Sequence, residues 1–213
     1  REKGEGAIIT TPRDREQFMN LLGDGSHWGM ACTFITQPEP EGLAQAYLLT
    51  EDFLDGAPST MVLGDNIFFG HGLPDLLADA RDVGGTVFGY HVTDPERYGV
   101  VEFDGDYRAL SIEEKPAKPK SIYAVTGLYA LDSRAPELAK QVQKSHRGEL
   151  EITSLLSMYL DEGTLDVKRM GRGYAWLDTG TMSSLLDAGN FVRTLQNRQN
   201  VLIVCPDVFA FTN

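Results

Sequence analysis

The sequence predicts an α/β protein with a mainly parallel, mixed sheet that is flanked by helices and carries antiparallel insertions. Strand-like apolar runs alternate with helical patterns over residues 7–90, which is the rhythm of a parallel sheet with helices on its faces. Asp104-Gly105-Asp106 separates two strand-like runs and predicts an antiparallel hairpin. Two further apolar runs end directly on Asp65 and Asp178, as strands do where they deliver an acid to the ligand-binding edge of a sheet.

Each strand is predicted from a short run of apolar, β-branched or aromatic residues that ends at a turn signal. The predicted strands are 7–11, 33–36, 61–64, 86–90, 98–103, 107–112, 122–131, 165–170 and 174–177. Helices are predicted where apolar residues recur at helical spacing, with Pro12 and Gly23 as the start and stop of the first one. The predicted helices are 12–22, 43–54, 73–80, 136–144, 150–160 and 183–199.

Composition narrows the class of protein. The 213 residues suit a single domain over 1–213, and 42% hydrophobic residues are enough for a sizeable core. The net charge of −12 argues against a nucleic-acid partner, which needs a basic surface, and no apolar run reaches the roughly 18 residues of a membrane span. Cys32 and Cys205 do not make a disulfide framework, so we expect a cytoplasmic protein with no membrane partner.

The two strand-end aspartates indicate one divalent metal ion held between them. Mg²⁺ prefers oxygen ligands, usually one or two carboxylates completed by water and substrate phosphates. Asp65 and Asp178 meet that need if their strands lie close together. The alternative is that each aspartate caps a following turn or helix.

The segment Glu113–Pro116 is the second candidate for chemistry. Pro116 ends the strand and fixes Lys115 at its end, where the lysine could neutralise a sugar phosphate. Glu114 could accept hydrogen bonds from sugar hydroxyls. The alternative is an ordinary surface ion pair, which contributes little.

Two further segments indicate close contact with a ligand. Gln37 opens a rigid loop, and its side chain can donate and accept, which suits the edge of a base. Gly42 and the strand residue Gly99 would let backbone approach a ring or phosphate. An ordinary strand-to-helix turn and a strand bulge are the respective alternatives. For Arg147–Thr153 we expect the start of a helix with acids in its first turn.

Taken together, the motifs resemble those of the sugar-phosphate nucleotidylyltransferases, and closely those of the glucose-1-phosphate thymidylyltransferases. They occur in the family's order over nearly the whole chain. The matching segments are Thr11–Asp14, Leu21–Gly25, Gln37–Pro38, Gly42–Ala46, Leu63–Asn66, Asp94–Val101, Glu113–Pro116, Tyr123–Tyr129, Arg147–Thr153 and Gly173–Gly180.

The resemblance implies a Rossmann-like fold and a Mg²⁺-dependent reaction of dTTP with glucose 1-phosphate, which gives dTDP-glucose and pyrophosphate for dTDP-rhamnose and cell-surface polysaccharide synthesis. It also implies a homo-oligomer, usually a tetramer. The implied catalytic residues are Lys115, Asp65 and Asp178, the two aspartates being the metal ligands. The implied nucleotide contacts are Gln37, Gly42 and Asp65, and the implied sugar-phosphate contacts are Gly99, Glu114, Lys115, Val125 and Trp176.

The chain departs from the family at its start. Family members open with a strand and a glycine-rich loop of the type Gly-Gly-x-Gly-Thr-Arg, and Lys3–Gly6 does not match that loop. We therefore expect an internal portion of such an enzyme, cut at both ends, with poor transfer activity or none. Two other functions stay open: a sibling enzyme that uses UTP, CTP or ATP, and a non-catalytic subunit that only binds the sugar phosphate.

Overall fold

The computed structural model describes residues 4–80 and 84–200, so Cys205 lies outside the described residues, and Cys32 is a free thiol. The chain divides into two compact units. The first unit comprises Arg1–Glu41 and Leu185–Asn213, and the second unit comprises Gly42–Ser184. Within the described residues, no helix combines the length and the apolarity that crossing a membrane requires.

The first unit contains a parallel strand pair joined by a helix. Strand β1 (Gly4–Thr10) lies parallel to β2 (Met30–Thr36), with Gly4 opposite Met30 and Thr10 opposite Thr36. Between them, α1 (Arg15–Leu22) ends at Gly23, whose positive φ of 58° stops the helix as the sequence predicts. A single 3₁₀ turn covers Ser26–Trp28.

The second unit contains most of the secondary structure. Its helices are α2 (Gln45–Leu49), α3 (Glu51–Leu54), α4 (Leu73–Ala78), α5 (Ala135–Ala139) and α6 (Ile152–Asp161), while α7 (Met182–Gln199) begins here and belongs to the first unit from Leu185 onward. Its strands are β3 (Ser59–Val62), β4 (Asn66–Gly70), β5 (Gly85–His91), β6 (Gly99–Phe103), β7 (Ala109–Glu114), β8 (Tyr123–Leu131), β9 (Leu165–Met170) and β10 (Tyr174–Asp178).

The main sheet of the second unit has the order β7-β6-β8-β5-β9, and β3 pairs with β8. Strand β8 is buried on both faces because its alternate residues enter two cores. Tyr129 belongs to the cluster that includes Leu155 and Tyr159 of α6, whereas the adjacent Leu128 packs with Phe88.

The predicted α/β class with a mixed sheet and flanking helices is confirmed, but the predicted excess of parallel pairs is corrected. Among the described strands, two pairs are parallel, β1–β2 and β5–β9, and the other five are antiparallel. The reason is β8, which runs opposite to β3, β5 and β6 and lies between them. Residues 115–122 join β7 to β8, and both of these strands run antiparallel to β6, which lies between them.

The strands that carry the two aspartates also differ from the prediction. Strand β3 ends at Val62, and Asp65 lies in the turn that leads to β4, a strand that the sequence did not predict. Strand β10 does end on Asp178, but it pairs antiparallel with β4 rather than in a parallel sheet. Asp65 is therefore positioned by the tight turn before β4, and Asp178 by the antiparallel pairing of β10 with β4.

Candidate active site

A cavity of about 310 Å³ lies within the second unit. Its size falls in the range of about 300–1,000 Å³ that is typical of small-molecule sites. The lining combines charged, aromatic and backbone groups from the turn before β4, from β6, β7, β8 and β10, and from the residues around the start of α6. Lining residues that the argument uses are Asp65, Asn66, Arg97, Tyr98, Gly99, Glu114, Lys115, Val125, Gly127, Tyr129, Arg147, Glu149, Glu151, Thr153, Trp176 and Asp178.

Asp65 and Asp178 lie next to each other at one part of this cavity. The β4–β10 register places Asn66 opposite Asp178, so the residue before β4 meets the end of β10. Thr179 strengthens this connection, because its backbone N–H and its hydroxyl both donate to the carbonyl oxygen of Asp65, at 2.9 and 2.7 Å. A methyl group on Gly180 would lie 3.1 Å from Asp178 Oδ1 and 3.5 Å from Asp65 Oδ2.

Each carboxylate also has a neighbour that fixes its orientation. Asp65 Oδ1 accepts a hydrogen bond from Asn66 Nδ2 at 2.8 Å. Asp178 Oδ1 accepts one from the backbone N–H of Gly180 at 3.0 Å, so this aspartate does cap the turn that follows it. Arg97 Nη2 lies 3.7 Å from Asp178 Oδ2 and places a positive charge beside the pair.

The donor set of this pair fits Mg²⁺. Two carboxylates converge above a glycine that leaves space between them. Mg²⁺ is usually held by one or two carboxylates together with substrate phosphates, so a pair is sufficient. No group of three or more His, Cys, Asp or Glu side chains with metal-site geometry occurs in residues 4–80 and 84–200. A Mg²⁺ ion held by this pair would take its remaining ligands from water or from a phosphorylated ligand.

Gly99, Glu114 and Val125 form a second part of the lining. Gly99 pairs with Glu114 across β6 and β7. A methyl group on Gly99 would lie 2.8 Å from Thr153 Cγ2 and 3.5 Å from Glu114 Oε2, so the glycine keeps this corner open. The hydroxyl of Thr153 donates to Glu114 Oε2 at 3.2 Å.

The Glu114 carboxyl lies in an environment that disfavours its charge. Burial, and then the nearby carboxylate of Glu151, raise the pKa of Glu114, although Thr153, Lys115 and Arg147 act in the opposite direction. Arg147 Nη1 lies 3.6 Å from Glu114 Oε1, which is too long for a good hydrogen bond. Its Nη2 is engaged with Glu149 at 2.8 Å.

Lys115 lines the cavity in an unusual backbone conformation. Its φ is +42°, which non-glycine residues adopt at a cost of about 1–3 kcal/mol. Its backbone N–H donates to the carbonyl oxygen of Tyr98 at 3.0 Å. Pro116 follows and, as the sequence predicts, ends the strand, because β7 stops at Glu114.

Trp176 forms an aromatic wall of the cavity. Its ring meets Tyr98 edge-on at a centroid distance of 5.1 Å and Tyr90 at 5.9 Å. Only 9% of Trp176 is exposed, and its indole N–H donates to Asn66 Oδ1 at 2.6 Å. The ring is therefore held in place by packing and by a hydrogen bond.

Comparisons with known proteins identify the family of this chain. The sequence profile described as "Nucleotidyl transferase" matches residues 3–194. The chain belongs to the nucleotidyl transferase family. A glucose-1-phosphate thymidylyltransferase of Xanthomonas campestris pv. campestris is 56% identical over 206 residues, which are 96% of this chain and 70% of that protein. One of Mycobacterium tuberculosis is 48% identical over 205 residues, 96% of this chain and 71% of that protein.

Two solved structures resemble this chain as well. The crystal structure of a Bacillus anthracis protein assigned as a glucose-1-phosphate thymidylyltransferase, in complex with a sucrose, has a TM-score of 0.79 and 38% identity, and the match covers 88% of this chain and 75% of that one. A UDP-glucose pyrophosphorylase complexed with UDP-glucose has a TM-score of 0.73 at 20% identity, over 90% of this chain and 81% of that one. The second likeness shows the shared nucleotidyltransferase fold.

Most of the site residues that were predicted from the sequence lie together in this structure. Those that line the cavity described above are Asp65, Asp178, Gly99, Glu114, Lys115, Val125 and Trp176. Gln37 belongs to the first unit, directly after β2, where its backbone N–H donates to Thr10 at 2.8 Å. Its contact with a base stays a prediction.

Gly42 has a structural reason of its own to be glycine. Its φ is +108°, and a methyl group there would lie 2.4 Å from the carbonyl oxygen of Leu150. Its neighbour Leu43 lines the cavity. The predicted nucleotide contact of Gly42 is therefore not needed to explain the residue, and it stays a prediction.

Sequence reasoning missed several lining residues: Asn66, Arg97, Tyr98, Tyr129, Arg147, Glu149 and Glu151. All of them stand inside the motifs that resemble the family, and that position was the available signal. Arg147 and Glu149 were expected in the first turn of a helix, but α6 begins only at Ile152. They lie instead on the loop that borders the cavity.

Proposed function

We propose that this protein is a glucose-1-phosphate thymidylyltransferase that uses Mg²⁺ and acts in the cytoplasm as a homo-oligomer, a tetramer by family resemblance. The observation that carries the proposal is the shared cavity of the Asp65–Asp178 pair and the Glu114–Lys115 pair. The relatives named for this enzyme, which are 46–56% identical, support it. dTDP-glucose made in this way would supply dTDP-rhamnose and surface polysaccharide synthesis.

The reaction proposed is a displacement at phosphorus. A phosphate oxygen of glucose 1-phosphate forms a bond to the α-phosphorus of dTTP, and the bond from that phosphorus to the bridging oxygen breaks, so that pyrophosphate leaves with the electron pair. No side-chain nucleophile is needed, because the substrate phosphate takes that part. Alignment and neutralisation of charge are therefore the main tasks of the protein.

In this proposal, the metal end of the cavity is formed by Asp65 and Asp178. A bound Mg²⁺ supplies neutralisation of the charge on the phosphoryl oxygens. Asp178 is already held by the backbone N–H of Gly180, which donates to it, and by the nearby guanidinium of Arg97. Its position therefore does not depend on the ion. Asp65 is tied to Thr179 through its backbone carbonyl.

The sugar-phosphate end is formed by Gly99, Glu114, Lys115, Val125 and Trp176. Lys115 neutralises the sugar phosphate, and Glu114 accepts hydrogen bonds from sugar hydroxyls. Gly99 gives the sugar access to backbone because it has no side chain. Val125 and Trp176 contribute apolar surface. Gln37 and Gly42 are the proposed contacts of the thymine base.

The test combines binding with turnover. Calorimetry with glucose 1-phosphate measures occupancy of the sugar end, and pyrophosphate release is followed with dTTP and, in parallel, with UTP. We expect binding of glucose 1-phosphate and faster release from dTTP than from UTP. A large preference for UTP would contradict the choice of base. Binding without release from any nucleotide, in a chain that carries the family's glycine-rich loop, would instead favour a non-catalytic sugar-phosphate subunit.

A further inference from the structure

The side-chain amide of Asn66 is hydrogen-bonded on both of its sides. Its Oδ1 accepts from the indole N–H of Trp176 at 2.6 Å and from the backbone N–H of Gly127 at 3.2 Å. Its Nδ2 donates to Asp65 Oδ1 at 2.8 Å. One half-buried residue thus connects the carboxylate pair with the aromatic wall.

The partners leave only one orientation for this amide. Trp176 and Gly127 present N–H groups, which can only donate, so the atom facing them has to be the amide oxygen. A flipped amide would place NH₂ against two N–H donors and would turn its oxygen toward the carboxylate of Asp65. The NH₂ group therefore faces Asp65 because Trp176 and Gly127 fix the other end.

Gly127 also provides the space that the amide occupies. A methyl group at this position of β8 would lie 2.5 Å from Asn66 Oδ1 and 2.8 Å from Asn66 Cγ. Such contacts are shorter than any non-bonded approach that packing tolerates, so Asn66 would have to move. The strand is therefore built to receive this side chain.

We infer that Asn66 is the positioning residue that orients Asp65 for the metal ion and that makes metal affinity depend on Trp176. Asn66 holds Asp65 Oδ1, and the other oxygen, Oδ2, is the one near Gly180 and Asp178. This inference rests on the proposed function, which makes Asp65 a metal ligand. Hydrogen-bond partners of metal ligands typically change metal affinity by about 10–100-fold when removed.

The test measures the affinity of the full chain for Mn²⁺ alone, by electron paramagnetic resonance of the free ion, without nucleotide or sugar. Mn²⁺ shares the preference of Mg²⁺ for oxygen ligands. Asp65→Asn should abolish binding, and Asn66→Ala should weaken it about tenfold or more. Trp176→Phe keeps the amide but removes one of its two fixing donors, so we expect a smaller loss of about threefold.

Tyr90→Phe is the matched control for Trp176→Phe. The Tyr90 ring also packs against Trp176, and its hydroxyl donates to the carbonyl of Tyr174 at 3.3 Å, away from Asn66. We expect unchanged Mn²⁺ affinity. The double variant Asn66→Ala with Trp176→Phe should bind no more weakly than Asn66→Ala alone, because the indole acts through the amide.

The outcomes separate the inference from the function on which it rests. If Asp65→Asn keeps full affinity, the metal site itself is wrong. If Asp65→Asn loses binding while Asn66→Ala and Trp176→Phe bind like the unaltered chain, the positioning role is overturned and the metal site stands. Should Asn66→Ala not fold, Trp176→Phe decides alone, and unaltered affinity in that variant overturns the coupling.

Discussion

Asp132 and Glu114 are two enclosed carboxylates of the same unit, and their pKa values move in opposite directions. Asp132 lies just after β8 and accepts hydrogen bonds from Gly84 N, Tyr159 Oη and Arg134 Nε at 2.8–2.9 Å. Burial alone would raise the pKa of Asp132, but these bonds outweigh it and lower the pKa. Burial raises the pKa of Glu114, and the single hydroxyl of Thr153 does not reverse this.

The difference separates a carboxylate that serves the fold from one that is available to a ligand. Asp132 has its oxygens occupied by donors from the protein itself, so its charge is stabilised only when the chain is folded. Glu114 borders the cavity with few donors of its own, so a ligand that brings hydroxyl groups would improve its environment. The same contrast predicts which substitutions harm activity and which harm stability.

The largest expected effect is at Asp65 and Asp178, the two cavity acids proposed to hold the metal ion. Asp178→Asn keeps the shape and the acceptor for Gly180 but removes the charge, so in a chain that carries the family's glycine-rich loop the rate of pyrophosphate release should fall about 1,000-fold or more. Asp65→Asn should behave alike. Thermal unfolding should be nearly unchanged in both variants, since neither charge is needed by the fold. Near-normal turnover in either variant would contradict the metal assignment.

A loss of stability is expected instead at Asp132. Asp132→Asn weakens the bonds to Tyr159 and Arg134 and turns an amide N–H toward one of their donors, so the free energy of unfolding should fall by about 3 kcal/mol. The measurement is urea unfolding followed by circular dichroism. Turnover per folded molecule should not change, because Asp132 does not border the cavity.

The pH dependence of this variant gives a second check on the same residue. Because the pKa of Asp132 is lowered in the folded state, its stabilisation is present above its ordinary value and is lost as the pH falls below it. The unaltered chain should therefore lose more stability than Asp132→Asn between about pH 5 and pH 3. Asp161→Asn, at an exposed acid, is the control and should change stability by less than about 0.5 kcal/mol.

A smaller effect on binding is expected at Glu114. Glu114→Gln should weaken glucose 1-phosphate about tenfold in calorimetry, because an acceptor for sugar hydroxyls loses its charge. Since its pKa is raised, Glu114 takes up a proton at a higher pH than an ordinary carboxyl, and binding to the unaltered chain should weaken at that higher pH. Glu114→Gln should lack this pH-dependent weakening of glucose 1-phosphate binding. The same dependence of binding on pH in both proteins would contradict the role assigned to Glu114.

The smallest effect is expected at Thr153, whose hydroxyl donates to Glu114. Thr153→Val keeps the shape of this buried side chain but removes the donor, so the pKa of Glu114 should rise further. The pH at which glucose 1-phosphate binding weakens should move upward, with a change of less than about threefold in affinity at neutral pH. Ser157→Ala is the control on the same helix, because that hydroxyl donates to the backbone of Thr153 instead.

Much of the fold could be predicted because its elements carry strong local signals. The apolar pattern of residues 165–170 predicted β9 with the bounds that the structure has. The turn at Asp104–Asp106 correctly indicated the β6–β7 hairpin. The direction of β8 could not be predicted in this way, since its partners β3 and β5 are set by long-range packing. Strand β4 was missed because its partner β10 lies far away in the sequence, and the local pattern of Asn66–Gly70 does not show that pairing.

The candidate site was predictable to the extent that its residues stand in recognisable motifs. Asp65, Glu114 and Trp176 belong to such motifs, and they do line one cavity. The task of Asn66 had no signal, because it depends on which atoms of Trp176 and Gly127 meet its amide in space. Hydrogen-bond direction is a property of the folded chain and leaves no periodicity in the sequence.

The central position of β8 has a consequence for how the second unit forms. Ser59 pairs with Leu131, and Val100 pairs with Ala124, so β8 can complete the sheet only after distant segments of the chain have come together. Closing loops of this size before any pairing is gained slows folding. We therefore expect the second unit to fold and unfold as a whole, in one cooperative step. A protease nick or a circular permutation between β3 and β8 would separate strands that pair in that step.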